Sequence, residues 1–424
     1  MIWVAITGLV LLFAGVPVAF ALGLAGLVGI WIADIPFAIV ATRLFTGVDS
    51  FVFLAVPFYI LAAEIMGQGG ITSRLISIAQ SATRWLRGGT AFANIGTSIV
   101  FAGISGSAVA DAAALGRVFM TEMPKEGYSR PYSAAVTVAS SIVGPIIPPS
   151  GLAILIGAVA SISIVDLFLA GVVPGLLAGG ACMVVVAFDA LRGRIPFPHS
   201  SVSGDSALRM VIEGVAVATL PLIIVGGMVI GAYTATEGGG IAVAYAIFLS
   251  TVVFRKLDMA GLWNAFLRAA RISATIYLLV AAATILSYAL NLLGIAEFVR
   301  STAQLFEGQP VLFLLATALL MLVLGTFLDI GAAILIFVPL LMPAVRELGI
   351  DPLQASMVVM LTLAMGLVTP PVGVVLFVVM RVGSIGMMPL LRALLPFFFA
   401  QLGAVVLLCL VPGFSTWLPY LLNH

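Results

Sequence analysis

The sequence predicts an all-α polytopic membrane protein built from two related halves, and three observations carry that prediction. Hydrophobic residues make up 62% of the 424-residue chain against 8% charged, more apolar surface than a soluble core absorbs. Long apolar runs follow one another from Ile2 to Leu422. A Pro-Pro break set in hydrophobic sequence occurs twice, as GPIIPPSG at 144–151 and GLVTPPVG at 366–373.

Composition also excludes other classes. A net charge of +1 argues against nucleic-acid binding. Cys182 and Cys409 sit inside apolar runs and read as packing residues. His199 and His424 offer no ligand set, no Walker-type nucleotide motif is present, and no cofactor is expected.

In chain order, residues 2–31 form an apolar stretch interrupted by Gly15-Val16-Pro17 and sufficient for one tilted or kinked span, without the basic start of a signal peptide. Residues 35–50, with Arg43 and Asp49, read as a short or partial span. An apolar helix over 51–67 carries Glu64, four residues before Gln68-Gly69-Gly70, which favours an interfacial position for that carboxylate. From Ile71 to Arg87, Leu75, Ile78, Ala82 and Trp85 share one helical face and Arg74, Gln80, Arg84 and Arg87 the other. That pattern predicts an interfacial amphipathic helix. Residues 294–307 repeat it, with Glu297, Arg300 and Gln304 opposite Phe298, Val299 and Leu305.

Each amphipathic segment precedes two apolar limbs around a small-residue centre: Ser105-Gly106-Ser107 in the first case, Gly325-Thr326 in the second. Limbs of about 15 residues do not each cross a hydrocarbon layer of about 30 Å, so re-entrant hairpins are predicted over 89–124 and 310–343. The Pro-Pro motifs then predict broken helices over 129–160 and 351–383, because each Pro lacks an N–H and disfavours helix before it. Irregular backbone at membrane depth survives where protein buries it or a polar site uses it.

The spacings agree between the halves. Gly106 to Pro124 and Gly325 to Pro343 both span 18 residues, and the shift of 222 from Gly127 to Gly349 also carries Gly144, Pro148, Pro149, Gly151 and Pro174 onto Gly366, Pro370, Pro371, Gly373 and Pro396. An internal duplication is therefore predicted, with a first repeat over 1–191, a polar linker over 192–206 and a second repeat over 207–424. Lys125 and Arg130 lie at the base of the first hairpin, whereas Glu307, Arg346, Glu347 and Asp351 lie at the second. The positive-inside rule then opens the first from the cytoplasm and the second from the other side, an inverted repeat of the kind secondary transporters share.

A dehydrated sodium ion needs about five or six oxygens, which hydroxyls and helix-end carbonyls supply without stranding charge in lipid. The candidates are Ser105 and Ser107 with carbonyls from 144–149, and Gly325 and Thr326 with carbonyls from 366–369 and the Thr369 hydroxyl. Helix N-termini at the tips can face an anionic substrate, with Gly106, Ser150, Asp111 and Asp329 as candidate contacts. Competing structural readings stand beside these. Gly103, Gly106, Ser107 and Ala110 also fit small-residue packing, while Thr326 to Asp329 and Thr234 to Glu237 fit capping boxes. Asp111 either shapes the hairpin, with Arg117 as a partner, or lines the site.

The stretches GISGSAVADAAALG, GYSRPYSAAVTVASSIVGPIIPPSG, GAYTATEGGGIAVAYA, GTFLDIGAAILIFVPLLMP and GLVTPPVGVVLF resemble the large membrane subunit of tripartite ATP-independent periplasmic (TRAP) transporters across nearly the whole chain. That resemblance implies a sodium-driven importer of organic acids in the bacterial inner membrane, with an elevator-like motion. It also implies a small four-helix membrane subunit, expected as a separate chain, and a periplasmic substrate-binding protein. Carried over by motif, sodium sites fall on Ser105, Ser107, Gly144, Ile147 and Pro149, and on Gly325, Gly366, Thr369 and Val372. Departures from the family pattern occur at Ala108, where a second Ser is common, and near Thr362, where Asn is common. The alternatives are a stand-alone sodium/dicarboxylate symporter without a binding protein and an intramembrane aspartyl protease using Asp111 and Asp329. The protease lacks its Tyr-Asp and Gly-x-Gly-Asp contexts.

Overall fold

The computed structural model describes residues 2–197 and 207–422. Residues 198–206 of the linker, with His199, lie outside the described residues, as does His424. Among the described residues the regular structure is helical throughout, and six helices are long and apolar enough to cross a membrane.

The chain begins with α1 (Ile2–Phe13) and α2 (Val18–Ile32). A single kinked span was the expectation for 2–31, and the structure replaces it with a helical hairpin. Gly15 adopts φ +80° and Pro17 starts α2, so the chain reverses. Gly8 then faces Ala25, and Gly29 faces Val4, as antiparallel packing requires. Next come α3 (Ala38–Val48) and a 3₁₀ turn, Phe51–Leu54, that runs into α4 (Ala55–Gln68).

The first amphipathic helix, α5 (Ile71–Thr83), stops four residues short of its predicted end at Arg87. Thr83 turns its hydroxyl onto the carbonyls of Ala79 and Gly89, at 2.9 and 2.7 Å, and Gly88 takes φ +82°. Arg87, freed from the helix, donates to the carbonyls of Ile195 and Gly193 and so ties the start of the linker down.

Two helical hairpin limbs follow, α6 (Gly89–Ser105) and α7 (Ala108–Lys125), then α8 (Arg130–Ser141), α9 (Gly151–Ala160) and the long α10 (Ile164–Leu191). The second half adds α11 (Ala207–Val229), α12 (Ala235–Phe248), a π turn at Leu249–Val253, and α13 (Met259–Leu292). Thr234 and Glu237 form the predicted capping box at the start of α12. The chain closes with α14 (Ile295–Gln304), α15 (Pro310–Gly325), α16 (Ile330–Glu347), α17 (Pro352–Gly366), α18 (Val374–Gly383), α19 (Met387–Leu410) and α20 (Gly413–Leu422).

The second hairpin limb extends beyond its predicted end: Pro343 lies inside α16, which continues to Glu347. At 18 residues it is one of the six helices long and apolar enough to cross unaided. The shift of 222 carries the bounds of α7 onto those of α16, residue for residue.

Packing divides the helices into two groups. In one, α13 lies against α2, α3 and α4, and α4 against α12. In the other, each broken helix is central: residues Ser133–Ser141 of α8 and Leu353–Gly366 of α17 are buried on all sides. Inter-half contacts come in exchanged pairs. Helix α7 packs on α18 and α16 on α9, while α8 packs on α19 and α17 on α10. A shift of 222 turns each contact into its partner, the reciprocity of a two-fold relation between the halves.

Burial of polar side chains in this second group follows hydrogen-bonding need. Asn94 and Ser98 of α6 donate to Thr137 and Ser140 of α8, both at 2.8 Å. Gln354 of α17 donates to the carbonyls of Leu408 and Cys409, at 2.8 and 3.2 Å, and so closes the C-terminus of α19. Gln354→Ala is expected to cost about 1–3 kcal/mol by stranding those carbonyls in a buried site. A melting temperature equal to the wild type's would refute that role.

Candidate functional site

The two hairpin tips and the two helix breaks meet in pairs. In the first half α6 ends at Gly106, whose φ of +59° reverses the chain. Ser107 then caps α7, accepting from the Ala110 N–H at 3.4 Å, and its own N–H donates to Ser105 Oγ at 3.3 Å. Ser105 in turn donates to Asp111 Oδ1. Across from this tip, Ser150 caps α9, accepting from Ala153 N–H at 3.3 Å and donating to the Pro145 carbonyl.

Glycines set the approach between them. A Cβ on Gly106 would stand 3.5 Å from the Pro149 carbonyl oxygen. One on Gly144 would press against Asp111 Oδ2 and lie 3.2 Å from the Ser107 carbonyl carbon. Ser105, Ser107, Gly144 and Pro149 are thus brought together. Ile147 belongs to the same loop and packs its side chain against Gly175 of α10.

Asp111 is fully buried, and its Oδ2 has no hydrogen-bond partner among the described residues. Its bond goes to Ser105 rather than to Arg117, which lies exposed along the same helix. Asp111 thus stands behind the tip, against Ser105 and Gly144.

The second half uses different caps in the same places. Gly325 and Gly366 bring the backbones of α15 and α17 together. The hydroxyls of Thr326 and Thr369 donate back to the carbonyls of Val323 and Met365, both at 2.7 Å, leaving oxygen lone pairs for another partner. The capping box expected from Thr326 to Asp329 gives way to a simpler cap. Asp329 is itself the N-cap of α16, accepting from Gly331 and Ala332 N–H groups at 2.9 and 3.4 Å. Thr326 belongs to the end of α15 instead. The second break closes through Val375 N–H to the Leu367 carbonyl, and both Pro-Pro bonds, Pro148-Pro149 and Pro370-Pro371, are cis.

Both tips open on one cavity of about 1440 Å³. Ser105, Gly106, Ser107 and Pro149 line it from the first half, and Gly325, Thr326, Asp329 and Val372 from the second. Gly144, Ile147, Asp111, Ser150, Gly366 and Thr369 stand behind that lining. Arg117 also lines it, as does an ion pair the sequence did not announce, Arg268 Nε to Glu64 Oε2 at 2.9 Å. Helix α4 supplies the acid and α13 the base, 204 residues apart, so no local pattern could reveal the pair. The volume exceeds the roughly 300–1,000 Å³ of a fitted ligand pocket, which marks it as a vestibule.

The family of tripartite ATP-independent periplasmic transporters, DctM component, matches residues 5–414. The chain belongs to this family. Among DctM-family relatives it is 35% identical over 415 residues to the sialic acid TRAP transporter large permease SiaM of Vibrio cholerae, covering 97% of this chain and 96% of that one. It is 31% identical over 434 residues to the C4-dicarboxylate TRAP transporter large permease DctM of the same organism, covering 97% and 96%. In fold it is similar to the YdaH transporter of Alcanivorax borkumensis, with a TM-score of 0.64 at 16% identity, covering 90% of this chain and 89% of that one. Membership in the DctM family makes the chain a membrane transporter component and not an enzyme. The proteolytic reading of Asp111 and Asp329 falls with that membership.

Proposed function

We propose that the chain is the transport subunit of a sodium-coupled, binding-protein-dependent importer of organic carboxylates in the bacterial inner membrane. The observation that carries this reading is the meeting of a hairpin tip with a helix break in each half. Each meeting gathers two helix C-termini, with free carbonyls, and two N-termini, with free N–H groups. Carbonyl ends and hydroxyls suit a bare cation; N–H ends suit an anion.

On this reading one sodium sits among Ser105, Ser107, Gly144, Ile147 and Pro149. A second sits among Gly325, Thr326, Gly366, Thr369 and Val372. The substrate carboxylate binds in the cavity between the tips, near Gly106 and Asp329, with Ser150 and Asp111 holding the first tip in shape. The large relatives named for sialic acid and for C4-dicarboxylates supply the substrate class. A small membrane subunit and a periplasmic binding protein complete the assembly. Two sodium ions moving down about 100 mV contribute roughly 5 kcal/mol, at about 2.3 per charge.

The exchanged contacts between halves support two repeats, 1–191 and 207–424, related by inversion across the membrane. The group around α13 serves as a fixed scaffold, and the two hairpins with their broken helices move against it as an elevator. Helices α5 and α14 join moving and fixed parts. The stand-alone symporter reading differs only in its partners, so it is tested by omission.

Two measurements test the proposal. In sodium the purified chain is expected to melt about 2–4 °C higher than in equal potassium, because an ion held only by the folded state stabilises it by mass action. Ser107→Ala and Thr326→Ala should each shrink that difference; equal melting in both ions would refute sodium sites. In vesicles, uptake of sialic acid or succinate should require sodium, the small subunit and the loaded binding protein. Uptake by the chain alone would favour the stand-alone symporter.

A further inference from the structure

A second cavity, of about 380 Å³, lies between α3, α13, the end of α9 and α16. Its charge is unbalanced. Arg43 lines it, and no acidic residue does among the described residues. The Arg43 guanidinium lies 4.0 Å above the ring centre of Tyr288, and its Nε is buried without a hydrogen-bond partner. Ser287 and the second amide N–H of Asn291 can donate to an anion there, while the hydroxyls of Thr46 and Thr284 donate to the carbonyls of Arg43 and Val280. Stacking on an aromatic face presents the planar fork of an arginine for bidentate contact with a carboxylate.

Helix α13 fixes the position of this cavity. It borders the large vestibule from Arg268 to Leu279 and the small cavity from Val280 to Asn291. From Arg268 to Tyr288 the helix rises about 30 Å, the thickness of a hydrocarbon core, so the Arg43 cavity lies at the opposite end of the span from the Glu64–Arg268 pair. Leu335 of α16 lines both cavities, so the second hairpin borders the place where they adjoin.

We propose that the Arg43 cavity is an entrance site on the membrane face opposite the Glu64–Arg268 pair, where an incoming organic carboxylate is held before the second hairpin lets it pass Leu335. Its direction rests on the importer reading; its affinity for anions does not. Arg43 is the anchor, Tyr288 orients it, and Ser287 and Asn291 donate to the remaining oxygens.

Labelling of an introduced thiol tests this without any transport. Ser287→Cys places it in the cavity, while the native Cys182 and Cys409 are buried. Spheroplasts are treated from outside with membrane-impermeant methanethiosulfonates, one carrying a sulfonate and one a quaternary ammonium. The anionic reagent is expected to react preferentially, and Arg43→Gln should lower that preference at least ten-fold while Arg43→Lys keeps most of it. An unchanged preference in Arg43→Gln, at wild-type melting temperature, overturns the proposal, as does labelling from the inside only. Millimolar succinate or sialic acid should slow labelling equally in vesicles of neutral phosphatidylcholine and of anionic lipid. Protection by anionic lipid alone would assign the cavity to a headgroup and overturn it too. Loss of sodium-driven uptake with the labelling preference intact would strike the importer reading instead.

Discussion

Gly325→Val is expected to abolish uptake, and Gly325→Ala to reduce it at least ten-fold. A Cβ at this position would lie 2.8 Å from the Leu363 carbonyl oxygen, 3.1 Å from Leu363 Cα and 3.2 Å from Gly366 Cα. All three are backbone atoms at the buried end of α17, so no side chain can swing aside. The helices must separate instead, which costs about 1–3 kcal/mol in a packed core and moves the hairpin tip relative to the break. Gly96→Ala and Gly180→Ala supply the contrast, since nothing lies within 4 Å of a Cβ at either position. Both sit inside helices and should stabilise by about 0.5–1 kcal/mol. Equal uptake by Gly325→Ala and Gly96→Ala would show that the close approach is immaterial.

Asp111→Asn should leave the fold in place and remove most of the sodium response. The carboxylate lies in the first turn of α7, where the helix dipole favours negative charge. It accepts from Ser105, and its other oxygen faces Gly144. Those two residues belong to the proposed first sodium site, so on this reading a bound sodium ion draws out a negative charge directly behind it. Asparagine keeps the shape and the bond to Ser105 while dropping the charge. Sodium should then bind at least ten-fold more weakly, about 1.4 kcal/mol. Asp111→Ala also strands Ser105 and should destabilise the protein by about 1–3 kcal/mol. A sodium-dependent melting shift of full size in Asp111→Asn would reduce Asp111 to a packing role.

Legibility in the sequence followed chemistry. Both breaks were readable because Pro-Pro punctuates a helix whatever surrounds it, and the tips because Gly106 and Gly325 interrupt apolar runs. The reversal at Gly15 is hidden in the sequence because a kinked span and a helical hairpin use the same residues, and only tertiary contacts such as Val4 against Gly29 and Gly8 against Ala25 separate them. The Thr326 to Asp329 pattern named a cap correctly but assigned it to the wrong residue: spacing cannot say which of two polar groups ends one helix and which begins the next. Arg43 with Tyr288, and Glu64 with Arg268, were out of reach. Each pair spans more than half the length of a repeat and owes its meeting to the packing of α3 and α4 on α13.

The exchanged packing of the halves also sets a schedule for making the protein. The groove of α7 is filled by α18, yet Val374 lies about 250 residues after Lys125. At roughly 5–20 residues per second, the ribosome needs some 12–50 s to deliver the missing helix. Throughout that interval the first hairpin is in the membrane without half of its support. Of its limbs, α6 is a little short for an ordinary span and α7 carries Asp111, Arg117, Glu122 and Lys125. Biogenesis must therefore shelter the first hairpin until about the last eighth of the chain arrives, and a chain truncated before α18 should be degraded as a whole and not persist as a folded first half.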